Sequence, residues 1–258
     1  MFFRKKNSID KIEAIELGQE TSRNKLFDKL KFGLDEFATS IEEVFVLDLR
    51  ALSLLRIGIA FVVLLDLIIR ATDLQAHYSN SGVLPLDVLF QHNWTQWRFS
   101  FHTISGQWQI QAFLFLFSAF WTVALMLGWK TRLSTFFCWI MLLSIQNRNP
   151  LILQGGDDLL RMTLFWGMFL PWGKRYSLDA QWNDRIDSNN SYSGMAGAAY
   201  MLQVAFVYSF SALLKNSPEW NSQGTALYYA LSLDQMVLPL GKLMYYYPLL
   251  LKYITLSV

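Results

Sequence analysis

Three runs of apolar residues decide what this chain can fold into. Ala51 to Ile69 is 19 residues long, Ile110 to Leu127 is 18 and Met195 to Leu214 is 20. Each approaches the roughly 20 residues that carry a helix across a hydrocarbon core. Lipid offers no hydrogen-bond partners, so each run must pair its own N–H and C=O groups, which a helix does. The composition agrees: 53% of the 258 residues are hydrophobic and 16% are charged, and the first 50 residues alone hold 9 Lys/Arg and 10 Asp/Glu. The apolar part is therefore residues 51 to 258. Disorder is excluded beyond about the first 20 residues. A net charge of +2 with no clustered basic face argues against nucleic acid as a partner.

Two shorter apolar stretches, Leu133 to Ile145 and Leu159 to Trp172, have 13 and 14 residues. We read them as spans three and four, with a re-entrant hairpin as the alternative at that length. The fifth span, Met195 to Leu214, opens on small residues, and Gly194 and Ala198 lie one helical turn apart, a spacing that lets helices approach closely. Pro248 to Val258 has 11 residues and makes a partial sixth span, as expected of a chain cut short there. The expected fold class is all-α: a polytopic transmembrane helical bundle of five clear spans and a partial sixth.

Lys and Arg counts give the orientation, because positively charged flanks stay cytoplasmic. In chain order the flanks hold 9, 1, 2, 1, 3 and 1, an alternation that places the N-terminus in the cytoplasm of a multi-pass cell-membrane protein. Loops 71–109, 146–158 and 215–235 then share the outer face. Ahead of the first span, Leu26, Leu30, Leu34, Phe37, Ile41 and Phe45 recur at steps of three and four, the period of one helix face. Residues 1–50 thus form a cytoplasmic segment whose amphipathic helix lies on the membrane surface or docks a soluble cytoplasmic partner. MFFRKK is followed by mixed charge rather than an apolar core, so no cleaved secretory signal is expected. The single cysteine, Cys138, excludes an internal disulfide and a cysteine-based zinc site.

Charges inside spans are costly and mark partners or cavities. Arg56 sits near the cytoplasmic end of span one, where its stem permits snorkelling. Arg70 lies four residues from Asp66 and three from Asp73, a spacing that predicts a local ion-pair ladder. The densest polar cluster is QNRNPLILQGGDD, residues 146–158. There Pro150 stops a helix, Gly155 and Gly156 are expected to make the return, and Asp157 and Asp158 suit the start of the next helix. Arg161 is the expected counter-charge for Asp157. This is either a well-capped hairpin or a polar pocket lined by Asn147, Arg148, Asn149 and Asp157. His77, His92 and His102 all fall in the first outer loop, but their separations match no metal-ligand spacing, so no metal is expected. His77, before the turn YSNSG, is the candidate ligand-pocket histidine. Lys215, which ends span five, is a snorkelling anchor or a desolvated amine able to act as a general base.

Three strings, LRIGIAFVVLLDLIIRATDLQAHYSNSGVLP, GWKTRLSTFFCWIMLLSIQNRNPLILQGGDDLLRMTLFWGMFLPWGKRYSLDA and YSFSALLKNSPEWNSQGTALYYAL, together resemble the horizontally transferred transmembrane (HTTM) domain. This is the membrane part of the vitamin K-dependent gamma-carboxylase group. The resemblance covers most of residues 50–245. It implies a lysine base that deprotonates a reduced quinone on the non-cytoplasmic side, and the residue matching that lysine is Lys215. Two departures argue against carboxylation: Pro150 stands where the animal enzymes carry a histidine, and no large non-cytoplasmic domain falls within these residues. A bacterial-type relative is the implied assignment, and some relatives look like membrane proteins needed to mature a secreted peptide toxin.

Two functions follow as expectations. In the first, an outer pocket built from His77, Asn147, Arg148, Asn149 and Asp157 holds an exported peptide or a lipid-soluble quinone while Lys215 acts as base. In the second, the same bundle serves the maturation, export or docking of a secreted peptide without chemistry of its own.

Overall fold

The computed structural model describes residues 43–182, 190–233, 237 and 239–257. The amphipathic helix expected before Val46 lies outside the described residues, apart from its last few positions. The chain divides into two compact units, one through Tyr200 and one from Met201 onward.

In the first unit, β1 (Leu47–Asp48) leads into α1 (Leu49–Thr72), whose first turn is capped by the Asp48 carboxylate accepting from the Arg50 N–H at 2.7 Å. An acceptor there satisfies an orphan donor and favours the positive end of the helix dipole. The buried residues of α1 are Leu49, Leu52, Ser53, Arg56, Ala60, Val63 and Leu67, a single stripe at helical spacing. Next come the short α2 (Leu74–Tyr78), a 3-10 turn at Phe101–Thr103, and then α3 (Trp108–Leu127), which packs along α1. Helix α3 ends at Gly128, whose φ of 73° is left-handed; Gly128 N–H reaches Leu125 O at 3.0 Å and Trp129 N–H reaches Ala124 O at 2.9 Å. That pair of bonds is a Schellman motif, for which glycine carries no Cβ penalty.

Helix α4 (Thr131–Arg148) packs on α3, and α5 (Gly155–Gly167) packs on α4. The start of α4 is capped from α6 (Leu178–Trp182): the Asp179 carboxylate accepts from Lys130 N, Thr131 N and Thr131 Oγ1 at 2.8, 2.7 and 2.6 Å. Strand β2 (Ser191–Tyr192) pairs antiparallel with β1, a minimal two-stranded sheet among described residues that are otherwise mostly helical. Helix α7 (Met195–Leu213) crosses the boundary between the units. Its small residues accommodate the strands: a Cβ on Gly197 would stand 3.0 Å from Leu47 Cδ1, and one on Gly194 would meet the Tyr192 ring.

The second unit continues with a turn at Pro218–Asn221, then α8 (Ala226–Leu231), α9 (Pro239–Tyr245) and α10 (Pro248–Leu256), which pack on one another. Tyr228 and Tyr245 stack at 4.8 Å with their hydroxyls 2.8 Å apart, and Leu251 is buried. The stretch expected as a partial sixth span is the nine-residue α10, packed on α8.

Among the described residues, three helices, α1, α3 and α7, are long and apolar enough to cross a membrane. They coincide with expected spans one, two and five. The helices expected as spans three and four do not meet that measure. At 1.5 Å per residue, the 13 residues of α5 extend about 20 Å, well short of a core of about 30 Å. The 18 residues of α4 extend about 27 Å, but its buried face carries Thr131, Ser134, Thr135, Ser144, Gln146 and Arg148. These polar groups hold neighbouring segments, while Leu133 and Phe136 are exposed on the other face.

Candidate functional site

The polar cluster expected between α4 and α5 folds differently from its sequence reading. Helix α4 stops at Asn149 before Pro150, and the return is made by a 3-10 turn at Pro150–Ile152, while Gly155 and Gly156 already belong to α5. Asp157 lies in the first turn of α5, where its carboxylate accepts from Gln154 N–H at 2.8 Å.

The side chains of Asn147, Arg148 and Asn149 reach back to the long connection between α1 and α3. Asn147 Nδ2 donates to Phe99 O at 2.7 Å, Arg148 donates to Leu84 O at 2.9 Å and Ser79 O at 3.5 Å, and Asn149 Nδ2 donates to His77 O at 3.0 Å. Arg148 is fully buried and Asn149 nearly so. Three consecutive residues thus pin three separate parts of one loop, because a buried carbonyl without a donor is costly. His102 fastens the same loop: its Nδ1 lies 2.7 Å from Ser144 Oγ, and burial with the Arg148 cation nearby holds its imidazole down at about 3. Gln111 completes the anchoring by donating to His102 O and Ser105 O at 2.9 and 2.6 Å.

What this scaffold positions is a polar cavity of about 240 Å³ at the end of α1. Asp66, Arg70 and Asp73 line it from α1 and its cap, His77 and Tyr78 from α2, and Ile152 and Gln154 from the return before α5. Arg70 organises it. Its Nε lies 2.8 Å from Asp66, one terminal nitrogen lies 2.6 Å from Asp157, and the other donates to the Tyr78 hydroxyl at 3.1 Å. The ladder expected along α1 is therefore half right. Asp66 pairs with Arg70 as the spacing predicts, but the second partner is Asp157, 87 positions away, rather than Asp73. Arg161, the expected partner of Asp157, pairs instead with Asp158 at 2.5 Å and donates to Gln146 Oε1 at 3.2 Å. Burial pushes the Tyr78 phenol up, and the Arg70 guanidinium opposes that.

Of the residues singled out from sequence, the structure brings His77 into the cavity wall, with Asp157 fixing Arg70 and Asn149 holding the backbone of His77. Asn147 and Arg148 direct their polar groups to other parts of the loop. Lys215 lies in the second unit, with its ammonium 4.7 Å from the Trp220 ring centre, a cation–π arrangement. Among the described residues, no three His, Cys, Asp or Glu side chains gather as a metal ion would need. Tyr78 and Gln154 are the polar wall residues that sequence reasoning passed over. Gln154 had a legible signal, standing just before Gly-Gly-Asp-Asp at a helix start; Tyr78 had none.

The chain is similar to the sporulation-delaying protein SdpB of Bacillus subtilis (strain 168), with 29% identity over 205 residues, covering 77% of this chain and 60% of that protein. This chain therefore spans somewhat under two thirds of that relative. Together with three helices long and apolar enough to cross a bilayer, the likeness makes this a membrane protein. No protein-family model and no solved structure matches the chain.

Proposed function

We propose that the protein is a multi-pass component of the cell membrane, with its N-terminus in the cytoplasm, whose cavity beside α1 receives a basic group of an exported peptide during that peptide's maturation or export. The charge of the cavity carries this reading. Asp66 and Asp73 line it, Asp157 stands behind Arg70, and against three carboxylates there is one guanidinium. Two negative charges are left over, and a cleft of one sign with low-dielectric walls concentrates ligands of the opposite sign. A lysine ammonium or an arginine guanidinium suits such a site and the carbonyl acceptor of Gln154. The alternation of Lys and Arg along the sequence supports an outward-facing cavity. The resemblance to the HTTM group, some of whose members serve a secreted peptide toxin, supplies the peptide as occupant.

A photo-crosslinking residue in place of Gln154 tests this in intact cells. The expected result is a peptide adduct that falls roughly tenfold with Asp73→Asn, which removes one of the two uncompensated charges. No peptide adduct, or one indifferent to Asp73, overturns the reading. Labelling of a Ser81→Cys variant by an impermeant maleimide tests the orientation separately.

Chemistry at Lys215, on the peptide or on a reduced quinone, is the second reading. It is favoured by the position of Lys215 directly after the apolar end of α7, where Leu213 and Leu214 are exposed. The indole of Trp220 speaks for an anchoring cation instead. A Lys215→Ala variant that inserts normally and keeps full activity excludes the base; loss of activity with normal insertion supports it.

A further inference from the structure

On the face of α1 turned away from the polar cavity runs a groove of about 520 Å³ between α1 and α3. Leu64, Ile68 and Ala71 form one wall, and Ala112, Leu116 and Ala119 form the other. Alanines on both helices leave the space that larger side chains would fill. Thr72 and Gln75 supply the polar groups of the lining, and both stand at the end where α1 gives way to α2, together with Trp108 at the start of α3. The groove opens sideways, since Ile68, Trp108 and Leu116 are 55, 49 and 70% exposed.

Its length is informative. From Leu64 to Thr72 is about 12 Å of helix and from Trp108 to Ala119 about 17 Å, close to half of a hydrocarbon core of about 30 Å. The groove thus runs from near the middle of two membrane-crossing helices to one end and stops there, the depth of a single leaflet. Its polarity has the same direction as a lipid, apolar toward the centre and polar at the rim, with an indole at the rim where tryptophan sits in membranes.

We propose that this groove holds one acyl chain of a membrane phospholipid, with the head group against Thr72, Gln75 and Trp108. A peptide strand would bring backbone donors and acceptors into a lining without partners for them below the rim, where an unpaired group is costly. A lipid chain brings none. The site is independent of the polar cavity, which occupies the opposite face of α1.

Native mass spectrometry of the full chain, extracted from membranes in mild detergent, tests the assignment. The expected spectrum shows one phospholipid retained per chain. Ala112→Phe and Ala119→Phe, which fill the groove with apolar volume, are expected to cut the retained fraction roughly tenfold, while Leu127→Phe at the far end of α3 leaves it unchanged. Trp108→Ala, at the exposed rim, is expected to cut it by about threefold and serves if the filled variants fail to insert. A wild-type chain that carries no phospholipid, retention indifferent to both the filled and the rim variants, or a peptide or second copy in place of the lipid overturns the proposal.

Discussion

Fourteen positions apart on α1, Arg56 and Arg70 are both withdrawn from solvent, and they are satisfied in different ways. Arg56 is fully buried and donates to Leu125 O at 2.6 Å, Met126 O at 3.3 Å and Tyr176 O at 2.5 Å. Among the described residues it has no carboxylate within ion-pair distance. It is a staple: the cation sits on the last carbonyls of α3, the negative end of that helix, and ties them to the chain before α6. The snorkelling expected from its position near the end of the span does not occur: the side chain is fully buried and its terminal nitrogens are taken up by backbone carbonyls. Arg70 is held by two carboxylates and a phenol at the edge of an open cavity, with a third carboxylate, Asp73, beside it. Burial alone therefore does not mark a site. What distinguishes the two ends is whether the surrounding acceptors are fixed backbone or an excess of titratable charge.

The strongest way to break this comparison is to remove each cation. Arg70→Met leaves Asp66 and Asp157 facing each other without a counter-charge and is expected to cost about 3–5 kcal/mol in unfolding measured in detergent. Adding Asp66→Asn and Asp157→Asn should restore most of that loss, since a neutral cluster has no charge left to compensate. Arg56→Met is expected to cost less, about 2–3 kcal/mol, from the charge-assisted hydrogen bonds lost to backbone carbonyls. No carboxylate substitution should rescue it. If removing a carboxylate rescued Arg56→Met, the distinction between staple and site would fail.

Smaller perturbations sharpen the same contrast. Gly128→Ala should destabilise by about 2 kcal/mol, because φ is 73° and the new Cβ would overlap both an Arg56 terminal nitrogen and Ser177. Combined with Arg56→Met its cost should shrink only by the part due to Arg56, since the overlap with Ser177 remains, and a double-mutant cycle reads that part directly. The loop end should also respond to acid. His102 is held near 3, below its ordinary 6.5, so the fold favours its neutral form. The stability this contributes is present above about pH 6.5 and is lost progressively as the pH falls toward 3. Between pH 6 and pH 5 the wild type should lose about 1 kcal/mol that a His102→Gln variant keeps, as seen in paired thermal melts.

The apolar runs at 51–69, 110–127 and 195–214 made three long helices legible to within three residues at each end, because a run of that length has only one way to satisfy its backbone in lipid. Pro150 likewise announced the end of α4, since its ring cannot continue a helix. The acidic start of α5 was legible for the same local reason. The partners of those charges were not. Spacing along α1 offered Asp73 to Arg70 and spacing along α5 offered Arg161 to Asp157, yet Arg70 and Asp157 chose each other across 87 positions. In the same way, Asn147, Arg148 and Asn149 read as ligand-facing groups until folding set unpaired carbonyls of the α1–α3 connection in front of them. The sequence by itself determined where the three long apolar helices run and where α4 stops, since capping and backbone pairing act over a few residues. Tertiary structure alone decided which polar groups are consumed in holding the fold and which, such as Asp73 and His77, still face an open cavity, because a charge selects its partner by distance in space and by the water removed between them.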